Sequence, residues 1–407
     1  MKAEILITGI SQLVTAESAG PKHGQAMREL KMIQQAAIAI SAGVIVWTGK
    51  GSDWKGEADV TVNAGGRAVV PGLVDPHTHA VWAGNRLVDF EARTSGSTYE
   101  EILAAGGGIR STIRATAAAS QEDLVALAKP RIDSLIASGA TTIEVKSGYG
   151  FTPEAELAML EAIRSLSVVS AARIMPTVLI HIPPAIATER SSYMSRVCEE
   201  LIPEAARRNL ATAVDIFVEK EAWHVAEAEE LFHCANQYGL AIKLHSDQFH
   251  CVGGLELGVN FGALSVDHLE ASGPEQIAKI ASSSTIATIL PGVSLHLGIP
   301  SAPGRKLVDA RAAVAVGTDL NPGSSPLFSI AEALALSVRL NGLTVEEALV
   351  AGTINAACAL GIKDAGRLET GCAADFLVLQ SSEWRDLIYV LGANPVRDVW
   401  IAGKKVN

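Results

Sequence analysis

Eight short apolar runs recur through the middle of this chain, at residues 69–74, 141–145, 174–180, 213–218, 241–244, 263–266, 285–290 and 312–316. Between them lie stretches of helical character, among them 121–137, 153–166, 191–208 and 225–238. Thr152-Pro153-Glu154 opens one of these with an N-cap hydroxyl, a proline at the first helical position and an early acid, the marks of a helix start. Strand-like runs that alternate with helices build a parallel sheet. Eight such repeats predict an α/β fold, a (β/α)8 TIM-like barrel. An open doubly wound sheet is disfavoured, because no G-x-G-x-x-G follows an early strand. Gly106-Gly107-Gly108 follows a helix-like stretch and lacks the spacing.

The two ends read differently. Short β segments at 4–8, 37–40, 44–47 and 59–62 are separated by glycine-rich punctuation, and the same style returns at 375–379 and 399–403. We therefore expect a small β-sandwich domain composed of residues 1–68 plus 365–407, around a barrel of residues 69–364 whose last helical region spans 327–360. The net charge of -11 argues against a nucleic-acid partner. It does not argue against a small anionic substrate, since a local arginine can outweigh the global field. The five cysteines are odd in number, far apart and without C-x-x-C spacing, which suggests reduced thiols in a cytoplasmic protein. Glu4 interrupts any signal-peptide core, and no uncharged apolar run reaches the roughly 18 residues of a membrane span.

In a (β/α)8 barrel, chemistry sits at the carboxyl ends of the strands. The first run leads to His77 and His79, which alternation along an extended segment would put on one side, where they can share a divalent metal. Taken alone, H-x-H fits two unrelated histidines in a turn equally well. The other strand ends supply what the pair lacks: Lys146 to Tyr149 after the second, His181 after the third, His245 to Gln248 after the fifth, Asp267-His268 after the sixth and Thr318 to Asn321 after the eighth. So many ligand-type residues at strand ends point to a metal-dependent enzyme rather than a binding scaffold.

Residues 71–79, Pro-Gly-Leu-Val-Asp-Pro-His-Thr-His, with His245, His268 and Asp319, resemble the amidohydrolase superfamily. The resemblance implies one divalent ion, Zn or Fe, on His77, His79, His245 and Asp319; ligand type does not separate the two metals. Two-metal members add a bridging Lys or Glu after strand four. Glu219 is the formal candidate here, but a Glu in a Glu-Lys-Glu run reads as a solvated loop residue. The reaction implied is hydrolysis of a C–N bond, with Asp319 moving protons and His268 polarising the carbonyl.

A more specific resemblance covers nearly the whole chain. Residues 104–112 (A-A-G-G-G-I-R-S-T), 144–150 (E-V-K-S-G-Y-G), 262–270 and 318–325 are similar to the imidazolonepropionase family, which opens 4-imidazolone-5-propanoate to N-formimino-L-glutamate in histidine degradation. It implies a small substrate with a carboxylate met by Arg86, contacts from Tyr149 and Tyr99, His181 at the ring and Gln248 against the ring nitrogens, catalytically as well as in binding. It also implies a loop of Asn321, Gly323 and Ser324 at the substrate or product, and a homodimer. The chain departs from the family at 179–184 and at 292–297, where Gly-Val-Ser-Leu-His-Leu replaces an aromatic-rich segment. A related hydrolase or deaminase acting on another small nitrogen heterocycle is the alternative. His23, His224 and His233 read as structural or solvated, and His250 with Cys251 does not reach the His245 side. Lys146 reads as an ion-pair partner rather than a base, and His296 is left open.

Overall fold

The computed structural model describes residues 2–98, 101–102 and 105–406, so Tyr99 lies outside the described residues. The strands are β1 (Lys2–Val14), β2 (Met32–Ser41), β3 (Val44–Lys50), β4 (Glu57–Pro71), β5 (Leu73–Asp75), β6 (Ala140–Lys146), β7 (Arg173–Ile180), β8 (Ala213–Val218), β9 (Ala241–Ser246), β10 (Ser265–His268), β11 (Ile286–Ile289), β12 (Val314–Val316), β13 (Phe376–Leu379), β14 (Val396–Ile401) and β15 (Lys404–Lys405). They form two sheets. One is mixed, with the order β15-β14-β13-β4-β1-β2-β3, and it interleaves strands from both ends of the chain. Val44 bridges Ala373, so the sheet curls on itself and its halves form the layers of the sandwich. Ile7, Ile38, Ile45, Val69, Phe376 and Trp400 fill the space between those halves, with the Phe376 and Trp400 rings stacked at 5.2 Å.

The second sheet is the barrel, β5 to β12 in sequence order and parallel throughout. All eight strand-like runs of the sequence contribute to it, but the first is shared. Val69 and Val70 pair with β13 in the curled sheet, and only from Leu73 does the chain pair with β6. Gly72 makes the crossing: a Cβ there would lie 2.3 Å from the Thr141 hydroxyl, so no larger residue fits without moving β6.

β12 and β5 do not pair along their lengths. The barrel is joined there just beyond them, by a parallel bridge between Thr78 and Leu320, with His79 N donating to Leu320 O (2.9 Å) and Asp319 N to His77 O (3.0 Å). The backbone that closes the barrel is thus the backbone that carries the candidate ligands.

The outer helices follow their start signals. Ser120 caps Gln121–Ala137 with a reciprocal Asp123 bond, and Thr152 caps Pro153–Val169. The single helix expected at 191–208 is instead Arg190–Arg196 and Ile202–Arg207, joined by a π turn at Val197–Leu201. Pro203 has no N–H with which to continue the α ladder, and Ile202 N instead donates to Val197 O, five residues back.

Candidate metal centre

Alternation along the barrel strands sends one set of side chains inward, and near the site that set is charged. Glu144 and Lys146 on β6, Asp215 on β8, Lys243 and His245 on β9, and Asp267 on β10 are all buried. Lys146 Nζ lies 2.7 Å from Asp215, 2.8 Å from Glu144 and 3.8 Å from Asp267; Lys243 Nζ lies 3.5 Å from Asp267 and 3.7 Å from Glu144. Lys146 is therefore an ion-pair partner, as the sequence suggested.

Above this layer sit His77, His79, His245 and Asp319, none more than 3% exposed. Asp319 Oδ1 lies 3.2 Å from Nε2 of both His77 and His79, and His245 Nε2 lies 3.5 Å from His79 Nε2. His77, His79 and His245 each offer a nitrogen within 4.8 Å of the others, and His77, His268 and Asp319 form a second such group. The outer nitrogens are anchored from below: His77 Nδ1 pairs with Asp267 at 2.6 Å and His245 Nδ1 with Asp215 at 2.9 Å. A carboxylate on Nδ1 fixes ring orientation and makes the inner nitrogen a better donor to metal. Neither aspartate was singled out for this role from sequence. Their signal was a charge in the middle of an apolar barrel strand, at a position alternation turns inward.

The site tests well for a cation. Among the described residues, His77 Nε2 and Asp319 Oδ1 are buried without a hydrogen-bond partner, and both belong to the converging donor set. Burial and Lys146 push the His77 imidazole down, yet Asp267 and Asp319 outweigh both and lift it to about 9. Carboxylates also outnumber ammonium groups in the buried cluster, with Glu144, Asp215, Asp267 and Asp319 against Lys146 and Lys243. The local potential is negative, and imidazole and carboxylate donors suit a divalent ion.

Four of the eleven non-glycine residues with positive φ among the described residues lie at this site. Asp247, His268, Leu269 and Asp319 all have positive φ, 58°, 87°, 72° and 51°. Side chains tolerate that conformation only where surrounding contacts enforce it, and it clusters at functional sites. Asn321 and Ser324 are two of the enforcers: Asn321 Nδ2 donates to Asp319 Oδ2 (2.9 Å), and Ser324 Oγ does so at 3.2 Å. Expected at the substrate, these two side chains hold Asp319 in this structure.

The remaining candidates surround the centre unevenly. Tyr149 and His181 are 5.6 Å apart, and His181 stacks on His79 at 5.5 Å. Burial, with the His79 ring beside it, pushes the His181 imidazole down to about 3. The turn that carries Tyr149 is held by buried Glu156, which accepts from the amides of Gly148 (2.7 Å), Gly150 (2.7 Å) and Phe151 (3.0 Å). Arg86 pairs with Asp89, an acid the sequence reading passed over, and Asp89 also accepts from Gly108 N (2.9 Å). A Cβ on Gly323 would sit 3.2 Å from the Arg86 guanidinium, so glycine there leaves room for the arginine beside the 321–325 loop. Gln248 is buried next to Asp247.

Glu219 corrects an expectation. It is buried rather than solvated, and it accepts from the amides of Phe249 (2.9 Å) and His250 (3.1 Å) and contacts His250 Nδ1 at 2.8 Å. Its carboxylate organises the loop after β9, which brings Glu219 and His250 together across two strand ends that sequence separation hid. His296 is packed on Phe90 at 5.4 Å, with Nε2 2.8 Å from Arg93.

Comparisons with known proteins give the family and the fold. A model of the amidohydrolase family matches residues 68–406. The imidazolonepropionase of Deinococcus deserti is 60% identical, over 99% of this chain and all of that one, and that of Deinococcus radiodurans 58%, over the same shares. Among solved structures, a zinc-bound adenosine deaminase from Xanthomonas campestris superposes with a TM-score of 0.75 at 20% identity, over 99% of this chain and 93% of that one. That likeness extends to the fold alone. Barrel, donor set and full-length relatives together make this chain a member of the amidohydrolase family and, within it, of the imidazolonepropionases.

Proposed function

We propose that this chain hydrolyses the cyclic amide of 4-imidazolone-5-propanoate to N-formimino-L-glutamate. The observation that carries the reading is the inward-facing donor set, pinned from below by Asp215 and Asp267, in a chain 60% identical to an imidazolonepropionase over its full length. His77, His79, His245 and Asp319 would hold one divalent ion, Zn or Fe. When bound, such an ion lowers the pKa of water from about 15.7 to about 7 and makes a nucleophile available at neutral pH.

The chain's own residues do the rest. Asp319, steadied through Oδ2 by Asn321 and Ser324, takes the proton of the attacking water and returns it to the leaving ring nitrogen. The water oxygen becomes part of the new carboxylate, and the amide C–N bond breaks. His268 donates to the carbonyl oxygen as negative charge develops there. Arg86 receives the propanoate carboxylate, for which a planar guanidinium is the fitting partner. Tyr149 and His181 flank the heterocycle, and Gln248 meets the ring nitrogens with an amide that both donates and accepts. The reading includes a composite domain of residues 1–68 plus 365–407, a barrel of residues 69–364, and a cytoplasmic homodimer.

The test is direct. Imidazolonepropionate is generated in situ and its ultraviolet band followed with protein loaded with Zn or Fe. Accelerated decay is the expected result, and decay at the uncatalysed rate with both metals would refute the assignment.

A further inference from the structure

One buried acid beside the centre has no part in the steps above. The Glu270 side chain is 3% exposed, and neither of its carboxylate oxygens has a hydrogen-bond partner among the described residues. Its ion-pair contact is His268, whose Nδ1 lies 3.4 Å from Oε2 and, among the described residues, also has no hydrogen bond. A carboxylate buried without donors destabilises a fold, and such groups call for an explanation. The backbone adds a second cost, because His268 and Leu269 both adopt positive φ between β10 and Glu270. That kink returns the chain so that residues 268 and 270 face each other, which plain alternation would achieve without strain only along a continuing strand.

We propose that Glu270 is the positioning residue of His268. It accepts a hydrogen bond from Nδ1–H and fixes the ring orientation in which the other nitrogen, also protonated, donates to the carbonyl oxygen. One ring nitrogen of His268 lies within 4.8 Å of His77 and Asp319 donor atoms, so the ring that contacts Glu270 also borders the reacting centre. A carboxylate behind a working imidazole is a recurrent solution in hydrolases. The loose 3.4 Å contact suits a hydrogen bond that tightens once substrate is bound. Residues 267–270 then serve two imidazoles, with Asp267 holding His77 and Glu270 holding His268.

This inference rests on the hydrolase reading, and the experiment separates the two. In metal-loaded Glu270→Gln, kcat falls about 10- to 100-fold while KM stays within about 2-fold. The thermal midpoint stays within about 2 °C, since glutamine keeps the size of the side chain and can still accept from the imidazole. In a His268→Ala background the same substitution changes kcat by less than about 2-fold. A full-sized loss in that background, or a midpoint that drops in step with activity, overturns the proposal. The ring 15N shifts of His268 need no substrate: a response to Glu270→Gln supports the contact, and no response overturns it. An inactive wild type whose His268 shifts do respond would sink the substrate assignment alone.

Discussion

The curled terminal sheet and the barrel are both made of strands that alternate inward and outward, yet they fill their interiors with opposite chemistry. Between the halves of the sheet lie Ile7, Ile38, Val69, Phe376 and Trp400, all apolar. Inside the barrel near its carboxyl end lie Glu144, Lys146, Asp215, Lys243 and Asp267, all ionisable and all buried. An apolar interior stabilises through area removed from water, whereas buried ions recover only part of their desolvation cost. The sheet is built to hold, and the barrel floor gives up stability to aim imidazoles. That division predicts that substitutions in the two interiors separate activity from stability.

The largest effect belongs to Asp319→Ala, which should lower kcat on the order of 10,000-fold while leaving a folded barrel. Circular dichroism alongside steady-state kinetics checks both halves, and appreciable residual kcat would break the proton-transfer role. Next, Asp215→Ala frees the outer nitrogen of His245 and leaves Lys146 short of a partner, so affinity for the divalent ion should fall about 10- to 100-fold. Competition against a chromogenic chelator measures it, and unchanged affinity would reduce the ionic floor to packing. Arg86→Ala should raise KM roughly 10- to 100-fold, the worth of a charge-assisted carboxylate bond, with kcat little changed. Equal losses in kcat would contradict a purely binding arginine. Smallest in activity is Phe376→Ala in the sheet: it should cost about 3–5 kcal/mol of stability with no change in kcat or KM below the unfolding transition. A change in kcat there would erase the contrast between the two interiors.

Much of this architecture is legible before folding because it rests on local patterns. Periodicity marks all eight barrel strands, and Thr152 and Ser120 mark helix starts by chemistry that acts within one turn. The H-x-H pair, His245, His268 and Asp319 are legible as strand-end residues once eight strands are counted. Harder to read is anything that depends on which strand ends meet. Residues 69–74 form one apolar run, but pairing assigns its first half to the sheet and its second to the barrel. Glu219 reads as a solvated acid until β8 and β9 bring it under the amides of residues 249 and 250.

By itself, then, the sequence determined the fold class, the strand ends and the types of donor gathered there, since each follows from spacing along one segment. Only the tertiary structure decided that Asp267 and Asp215 stand behind His77 and His245, that the ligand backbones close the barrel, and that Glu270 turns back on His268. The physical reason is range: propensity and alternation act over a few residues. Hydrogen bonds across 190 residues from His77 to Asp267 exist only after closure of the sheet has fixed the register.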